Sequence, residues 1–171
     1  MVVLGIDPGT RRTGYAVIES LGDRVILRAS GALAVPSRFP FHERLKLIYH
    51  GLQEIVTKFQ PDEIAVEDVF VKKNARVALK MGHVRGVALL VAANHNAVIA
   101  EYSPGEVKQA IVGSGIASKE QVKFMVTALL KLTQMPSEDE ADALAVALCH
   151  VHKRRLDRES PIDILRKRHS C

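Results

Sequence analysis

The chain begins with an unbroken apolar run, Val2–Asp7, that ends in a carboxylate. A strand that is half exposed alternates apolar and polar residues, whereas a continuous apolar run is typical of a strand buried on both faces. A turn signal, Pro8-Gly9-Thr10, follows at once. The first strand is therefore expected at the centre of a covered sheet, which favours an α/β architecture.

The rest of the chain supplies both kinds of covering element. Residues 13–20 and 24–35 read as two more strands joined by a short turn, and apolar residues spaced by three or four from Phe41 to Phe59 predict an amphipathic helix. Further strands are predicted at Glu63–Glu67 and 97–102, and further helices at 74–94, Pro104–Val112, 118–132 and 137–151. The last two helices open with capping boxes, Ser118 with Gln121 and Ser137 with Glu140. This order predicts an α/β domain with a mixed five-stranded sheet flanked by helices.

Composition excludes several classes of protein. With 171 residues, 47% hydrophobic and 25% charged, the chain is neither disordered nor collagen-like, and one domain is expected. No apolar run approaches the roughly 18–20 residues of a membrane span, and no signal peptide is predicted. Two cysteines are too few for a disulfide framework, so we expect a cytoplasmic protein.

Positive charge is concentrated near the C-terminus. The net charge is +5, and residues 152–171 hold seven basic and three acidic residues. Residues 1–151 then hold 17 basic and 16 acidic residues, so the excess there is only +1. We expect a folded domain over 1–151 and a basic, solvated and partly disordered tail over 152–171. Within the domain, residues 69–100 carry five basic residues and no acidic one.

Four carboxylates stand where carboxylates are costly. Asp7 and Glu67 end two apolar strands, and Asp139 and Asp142 lie three residues apart, on one face of the last helix. The apolar sequence after Asp142 indicates that this face packs on the sheet. A carboxylate there must be paired, protonated or bound to a metal, because desolvating a bare anion costs several kcal/mol.

The four acids converge if the first and fourth strands are neighbours in the sheet. Taken singly, each has an ordinary interpretation: Asp7 as a turn former, Glu67 as an exposed strand end, Asp139 as a helix-dipole partner. Together they lack an equally good basic partner nearby in sequence, which indicates cations. All-oxygen ligands select Mg²⁺ or Mn²⁺ over Zn²⁺, and two such ions about 3.5–4 Å apart would clamp a phosphodiester.

Four segments resemble the RuvC family of bacterial Holliday-junction resolvases, in matching order and spacing. They are GIDPGTRRTGYAVIE at 5–19, VEDVFVKKNARVALKMGHVRGVAL at 66–89, VKQAIVGSGIASKEQV at 107–122 and DEADALAVALCH at 139–150. The resemblance spans residue 1 to about 151. It implies a ribonuclease-H-like fold and a homodimeric, Mg²⁺-dependent endonuclease of DNA recombination and repair. Such an enzyme resolves four-way junctions by two symmetric nicks, together with the RuvA–RuvB branch-migration complex.

The resemblance also implies roles for particular residues. The family's catalytic, metal-binding quartet falls on Asp7, Glu67, Asp139 and Asp142. Its junction-probing aromatic falls on Phe70, and its DNA-contacting lysines fall on Lys108 and Lys119. From this we expect two Mg²⁺ ions per subunit, with Mn²⁺ able to substitute, and hydrolysis that leaves 5′-phosphate and 3′-hydroxyl ends.

The residues themselves favour DNA contact around this site. Phe70 lies in a loop beside Lys72 and Lys73, where an aromatic ring can stack on an unpaired base while lysines hold phosphates. The competing interpretations are a Phe packed under its own loop and lysines that are merely solvated. The full set expected to face DNA is Phe70, Lys72, Lys73, Asn74, Arg76, Lys108, Lys119 and Lys123.

Some features admit more than one interpretation. Gly82 and Gly86 on the long helix suit either a dimer seam or ordinary core packing, and the histidines His83, His95 and His150 lack a metal-binding spacing. The opening motif is also similar to the first phosphate loop of actin-like ATPases, but no second such loop follows. The chain could also be a YqgF-like nuclease of the same fold, or a junction-binding module without catalysis. The presence of all four acids argues against a module that only binds.

Overall fold

The computed structural model describes residues 1–68 and 75–158, which form five strands and five helices. The strands are β1 (Val2–Asp7), β2 (Arg12–Leu21), β3 (Arg24–Ala34), β4 (Glu63–Glu67) and β5 (Val98–Tyr102). The helices are α1 (Phe41–Phe59), α2 (Ala75–Asn94), α3 (Pro104–Val112), α4 (Lys119–Leu129) and α5 (Glu138–Arg158). The predicted order of elements is confirmed.

The strands form one mixed sheet in the order β3-β2-β1-β4-β5. Strand β1 is antiparallel to β2, and β2 to β3, whereas β1 and β4 are parallel, as are β4 and β5. Strand β1 is therefore central, as its apolar sequence predicts. The expected fold class, a mixed five-stranded sheet flanked by helices, is confirmed.

Alternate residues of the central strands belong to two separate hydrophobic cores, one on each face of the sheet. Leu4 and Ile6 belong to the core covered by α1 and α2. Val3, on the opposite face, belongs to the core covered by α3, α4 and α5. Burial on both faces explains why β1 contains no polar residue before Asp7.

Helix α5 lies unusually close to the sheet. A Cβ atom on Gly5 would overlap the carbonyl oxygen of Ala143 and stand 2.7 Å from the backbone nitrogen of Ala147. A Cβ atom on Gly14 would likewise overlap the carbonyl oxygen of Asp139. The two glycines thus let the backbone of α5 rest directly on β1 and β2, which places the start of α5 beside the end of β1.

Helix α2 packs along only part of its length. Its buried residues are Val84, Ala88, Val91 and Ala92. Val77 is 51% exposed, although the apolar period of the sequence includes it with the core positions. The helical period is right, but the first half of α2 lies outside the core.

Two helix ends differ from the sequence prediction. Helix α4 ends at Leu129 rather than 132, and Lys131 then adopts a left-handed conformation with φ 52°. Helix α5 continues to Arg158, so residues 152–158 are helical and are not a solvated tail. Lys153 pairs with Glu106 at 2.6 Å and Arg154 pairs with Glu63 at 2.5 Å, which ties this basic segment to α3 and β4.

The predicted helix starts hold. Ser118 and Gln121 form a full reciprocal capping box, and the Glu140 carboxylate accepts from the backbone N–H of Ser137 at 3.2 Å. A further capping box, Ser103 with Glu106, opens α3. Within the two described ranges, no helix combines the length and the apolar character that crossing a membrane requires.

Candidate active site

Asp7 and Glu67 stand side by side at one edge of the sheet. Strands β1 and β4 are parallel neighbours with Ile6 opposite Val66, so their last residues emerge together. The two carboxyl groups are hydrogen-bonded to each other. This edge, beyond the carboxyl ends of parallel strands, is where ligand sites of open α/β sheets are found.

Burial sets the protonation of this pair. It raises the pKa of Asp7 to about 6; the hydrogen bond to Glu67 opposes this rise, and the charge of Asp142 adds to it. Burial likewise raises the pKa of Glu67 to about 8, reinforced by the negative charge of Asp7. Near neutral pH the pair therefore holds about one proton, as expected for two crowded carboxylates.

Helix α5 brings Asp139 and Asp142 to the same edge, where each meets a basic side chain. Asp142 accepts from the Nζ of Lys119 at 3.0 Å, and this hydrogen bond raises the lysine pKa. Asp139 accepts from the Nε of Arg12 at 2.5 Å. The sequence shows no nearby partner because these bases lie 23 and 127 residues away along the chain.

A small cavity opens beside Asp142, between α4 and the start of α5. Its volume is about 110 Å³, and its lining includes Lys119 and Lys123 as well as Glu120 and Glu138. Two of the lysines expected to contact DNA thus lie beside the acids.

The remaining expected DNA contacts are less closely grouped. Lys108 is half-buried on α3, and Arg76 is exposed in the first turn of α2. Phe70, Lys72, Lys73 and Asn74 lie outside the described residues.

Sequence patterns missed two features of this region. One is Arg12, whose pairing with Asp139 depends on the contact between β2 and α5. The other is a buried chain of hydrogen bonds, in which His150 joins Tyr102 (2.7 Å to Nδ1) to Glu63 (2.5 Å to Nε2). His150 is 2% exposed, so its role in this hydrogen-bond chain is structural. No short-range motif marks either feature.

The fold and the site together define a class of protein: a nuclease of the ribonuclease-H-like type, with acids at the carboxyl ends of central strands and bases around them. Two solved structures support the fold at low sequence identity. The yeast mitochondrial Holliday junction resolvase has a TM-score of 0.68 at 15% identity, covering 92% of this chain and 80% of that one. The fowlpox virus resolvase, solved with its Holliday junction DNA substrate, has a TM-score of 0.55 at 13% identity, covering 88% and 99%.

Closer relatives identify the family. The family described as crossover junction endodeoxyribonuclease RuvC matches residues 3–150. A RuvC of Syntrophotalea carbinolica is 51% identical over 152 residues, covering 89% of this chain and 94% of the relative. Thermus thermophilus RuvC, in complex with a Holliday junction substrate, has a TM-score of 0.86 at 34% identity, covering 92% and 96%. The chain belongs to the RuvC family of crossover junction endodeoxyribonucleases, and is therefore a DNA-cleaving hydrolase. Members of this family are nucleases that depend on divalent metal ions.

Proposed function

We propose that this chain resolves four-way DNA junctions by two symmetric nicks and that four acids carry out the cleavage. The proposed catalytic and metal-binding residues are Asp7, Glu67, Asp139 and Asp142. The observation that carries this proposal is that Asp7 and Glu67 end the parallel neighbours β1 and β4 side by side, while α5 brings Asp139 and Asp142 to the same edge.

The donor set suits Mg²⁺ or Mn²⁺. All four candidate ligands are carboxylates, and hard oxygen ligands favour these ions. Within residues 1–68 and 75–158, no cluster of three or more acids, histidines or cysteines has the arrangement of a metal site. Asp139 and Asp142 instead pair with Arg12 and Lys119. Cations satisfy the same four charges, and we propose two per subunit.

When bound, the ions supply charge stabilisation and an activated water for phosphodiester hydrolysis. The chain's own part is to hold the acids in place: β1 and β4 fix Asp7 and Glu67, and α5 fixes the other two. Lys119 stands next to Asp142, where its charge can neutralise a substrate phosphate. The bond from phosphorus to the 3′ oxygen breaks, which leaves a 5′-phosphate and a 3′-hydroxyl.

The expected DNA contacts remain part of the proposal. Lys119 and Lys123 beside the acids support a phosphate path toward the site. We propose that Phe70 stacks on a base at the junction while Lys72, Lys73 and Asn74 hold nearby phosphates. Arg76 at the start of α2 and Lys108 on α3 would extend this DNA-facing surface.

A homodimer accounts for the exposed face of α2. Leu79 is 66% exposed and Leu90 is 54% exposed, and they line a groove of about 660 Å³ with mainly apolar walls. Cβ atoms on Gly82 and Gly86 would meet nothing within 4 Å, so these glycines do not serve core packing. Exposed apolar patches of this kind mark interfaces, and a two-fold pair would present two sites for the two nicks.

The wider context follows from the family relationship. We propose that the nuclease unit, expected over residues 1–151, extends to the end of α5 at Arg158, because the last turns of that helix pair with α3 and β4. Residues 159–171 lie outside the described part of the chain. We further propose that the enzyme works in the cytoplasm with the RuvA–RuvB branch-migration complex.

A junction cleavage assay tests the proposal. Purified protein with a synthetic four-way junction and Mg²⁺ should produce paired, symmetric nicks across the junction, in two strands of the same polarity. Asp7→Asn should bind the junction normally but cut it about 100-fold more slowly or worse, because a metal-facing oxygen is lost. Asp23→Asn, at an exposed turn, is the matched control and should cut normally.

Two outcomes would contradict the proposal. If the wild-type protein cuts no junction in Mg²⁺ or Mn²⁺, the nuclease assignment fails. If it hydrolyses ATP instead, the similarity of its opening motif to actin-like ATPases becomes the better explanation.

A further inference from the structure

Asp139, a proposed metal ligand, forms an ion pair with Arg12. The Nε of Arg12 lies 2.5 Å from Oδ2 of Asp139, with the two side chains 53% and 30% exposed. Arg12 begins β2, and Asp139 is the second residue of α5. A carboxylate oxygen in this contact is less available to a cation, whose charge would also repel the guanidinium.

The backbone holds Arg12 at this site. Gly14, two residues later on the same face of β2, touches the carbonyl of Asp139 and pairs with Asp7 in the sheet. Arg12 therefore remains within reach of Asp139 whether or not its ion pair is formed. Its exposed side chain has room to turn toward a DNA strand that lies over the acids.

We propose that Arg12 exchanges partners during the reaction, from Asp139 in the metal-free protein to a DNA phosphate in the metal-loaded complex. The inference rests on the proposed metal site. A guanidinium suits both partners, because its planar fork of N–H donors matches carboxylate and phosphate oxygens alike. By pairing with Asp139, Arg12 limits charge repulsion among the four acids until metal arrives. By leaving Asp139, it adds a positive charge next to the scissile strand.

The exchange predicts effects of opposite sign on two ligands. Arg12→Gln should bind Mn²⁺ roughly threefold more tightly, since an exposed ion pair of ordinary strength no longer competes. The same variant should bind a four-way junction more weakly than wild type in Ca²⁺, and equally well in EDTA. Arg11→Gln makes the same charge change at the adjacent exposed position and should leave the Mn²⁺ affinity unchanged.

The measurements are Mn²⁺ titration by calorimetry and junction binding by fluorescence anisotropy, neither of which depends on cleavage. If wild type binds Mn²⁺ and Arg12→Gln binds it no more tightly, the proposed exchange of partners by Arg12 is wrong. The proposed metal site is not affected by that outcome. An equal loss of junction affinity in EDTA and in Ca²⁺ would also overturn it, since Arg12 would then be an ordinary DNA contact. If wild type binds no Mn²⁺, the proposed metal site itself fails.

Discussion

At the residue scale, the pair formed by Asp7 and Glu67 links the site to the stability of the fold. Burial raises the pKa of both carboxyl groups, to about 6 and about 8. The folded protein thus holds their protons more tightly than the unfolded chain does. Their favourable contribution to folding is complete below the unfolded values near 4, and it is lost as the pH rises through 6 to 8.

This sign predicts how metal-free protein responds to pH. In EDTA, the free energy of unfolding should fall between pH 6 and pH 8, and Glu67→Gln should flatten that fall. At pH 8 the variant should be more stable than wild type by at least about 1 kcal/mol, because it removes a buried like charge. Urea denaturation across this pH range measures the effect.

Glu54→Gln, on the exposed side of α1, is the control for the loss of one carboxylate. It should leave the pH dependence unchanged. A Glu67→Gln variant that follows the wild-type curve throughout would show that the pair does not share a proton.

At the element scale, the closeness of α5 to the sheet decides where the acids meet. Gly5→Ala would place a methyl group within 3 Å of the α5 backbone at Ala143 and Ala147. The helix must then shift, at a cost of about 2–3 kcal/mol. Because α5 carries Asp139 and Asp142, junction cleavage should fall together with stability.

Gly105→Ala is the matched control in α3, where a Cβ atom meets nothing within 4 Å. The melting temperature of Gly5→Ala should be clearly lower than that of Gly105→Ala. Equal melting temperatures would mean that α5 does not rest on β1 as closely as described.

The buried chain through His150 ties α5 to β4 and β5. His150→Ala would leave the Tyr102 hydroxyl without this partner and the Glu63 carboxylate with one fewer donor. We expect a loss of about 2–4 kcal/mol, from both the unpaired buried groups and the cavity. Denaturant unfolding measures it, with the exposed His42→Ala as control. A loss no larger than that of the control would show that the network contributes little.

At the scale of the whole molecule, the apolar face of α2 should govern assembly. Leu79→Glu combined with Leu90→Glu places charges in the proposed interface, and should yield monomers by size-exclusion chromatography with light scattering. The monomer should no longer make the two symmetric nicks of a junction in a coordinated way.

Leu21→Glu, at the exposed end of β2, is the control and should remain dimeric. If the α2 variant stays dimeric, the seam lies elsewhere. If wild type is itself monomeric, the homodimer proposal fails.

The sequence by itself determined the elements and the acids. The apolar run before Asp7 and the helical period of α1 predicted β1 and α1 within their observed bounds. The positions of Glu67, Asp139 and Asp142 at the ends of apolar segments predicted the candidate site. These signals are readable because strand and helix periodicity, and the cost of burying a charge, act over short stretches of chain.

Only the tertiary structure decided which side chains meet. The pairing of Arg12 with Asp139 joins residues 127 positions apart, and that of Glu63 with His150 joins residues 87 positions apart. The C-terminal end of α5 likewise depends on ion pairs with α3 and β4, which the local composition of a basic segment does not reveal. Such contacts follow from how the helices pack on the sheet, and packing is set by the whole core rather than by any local pattern.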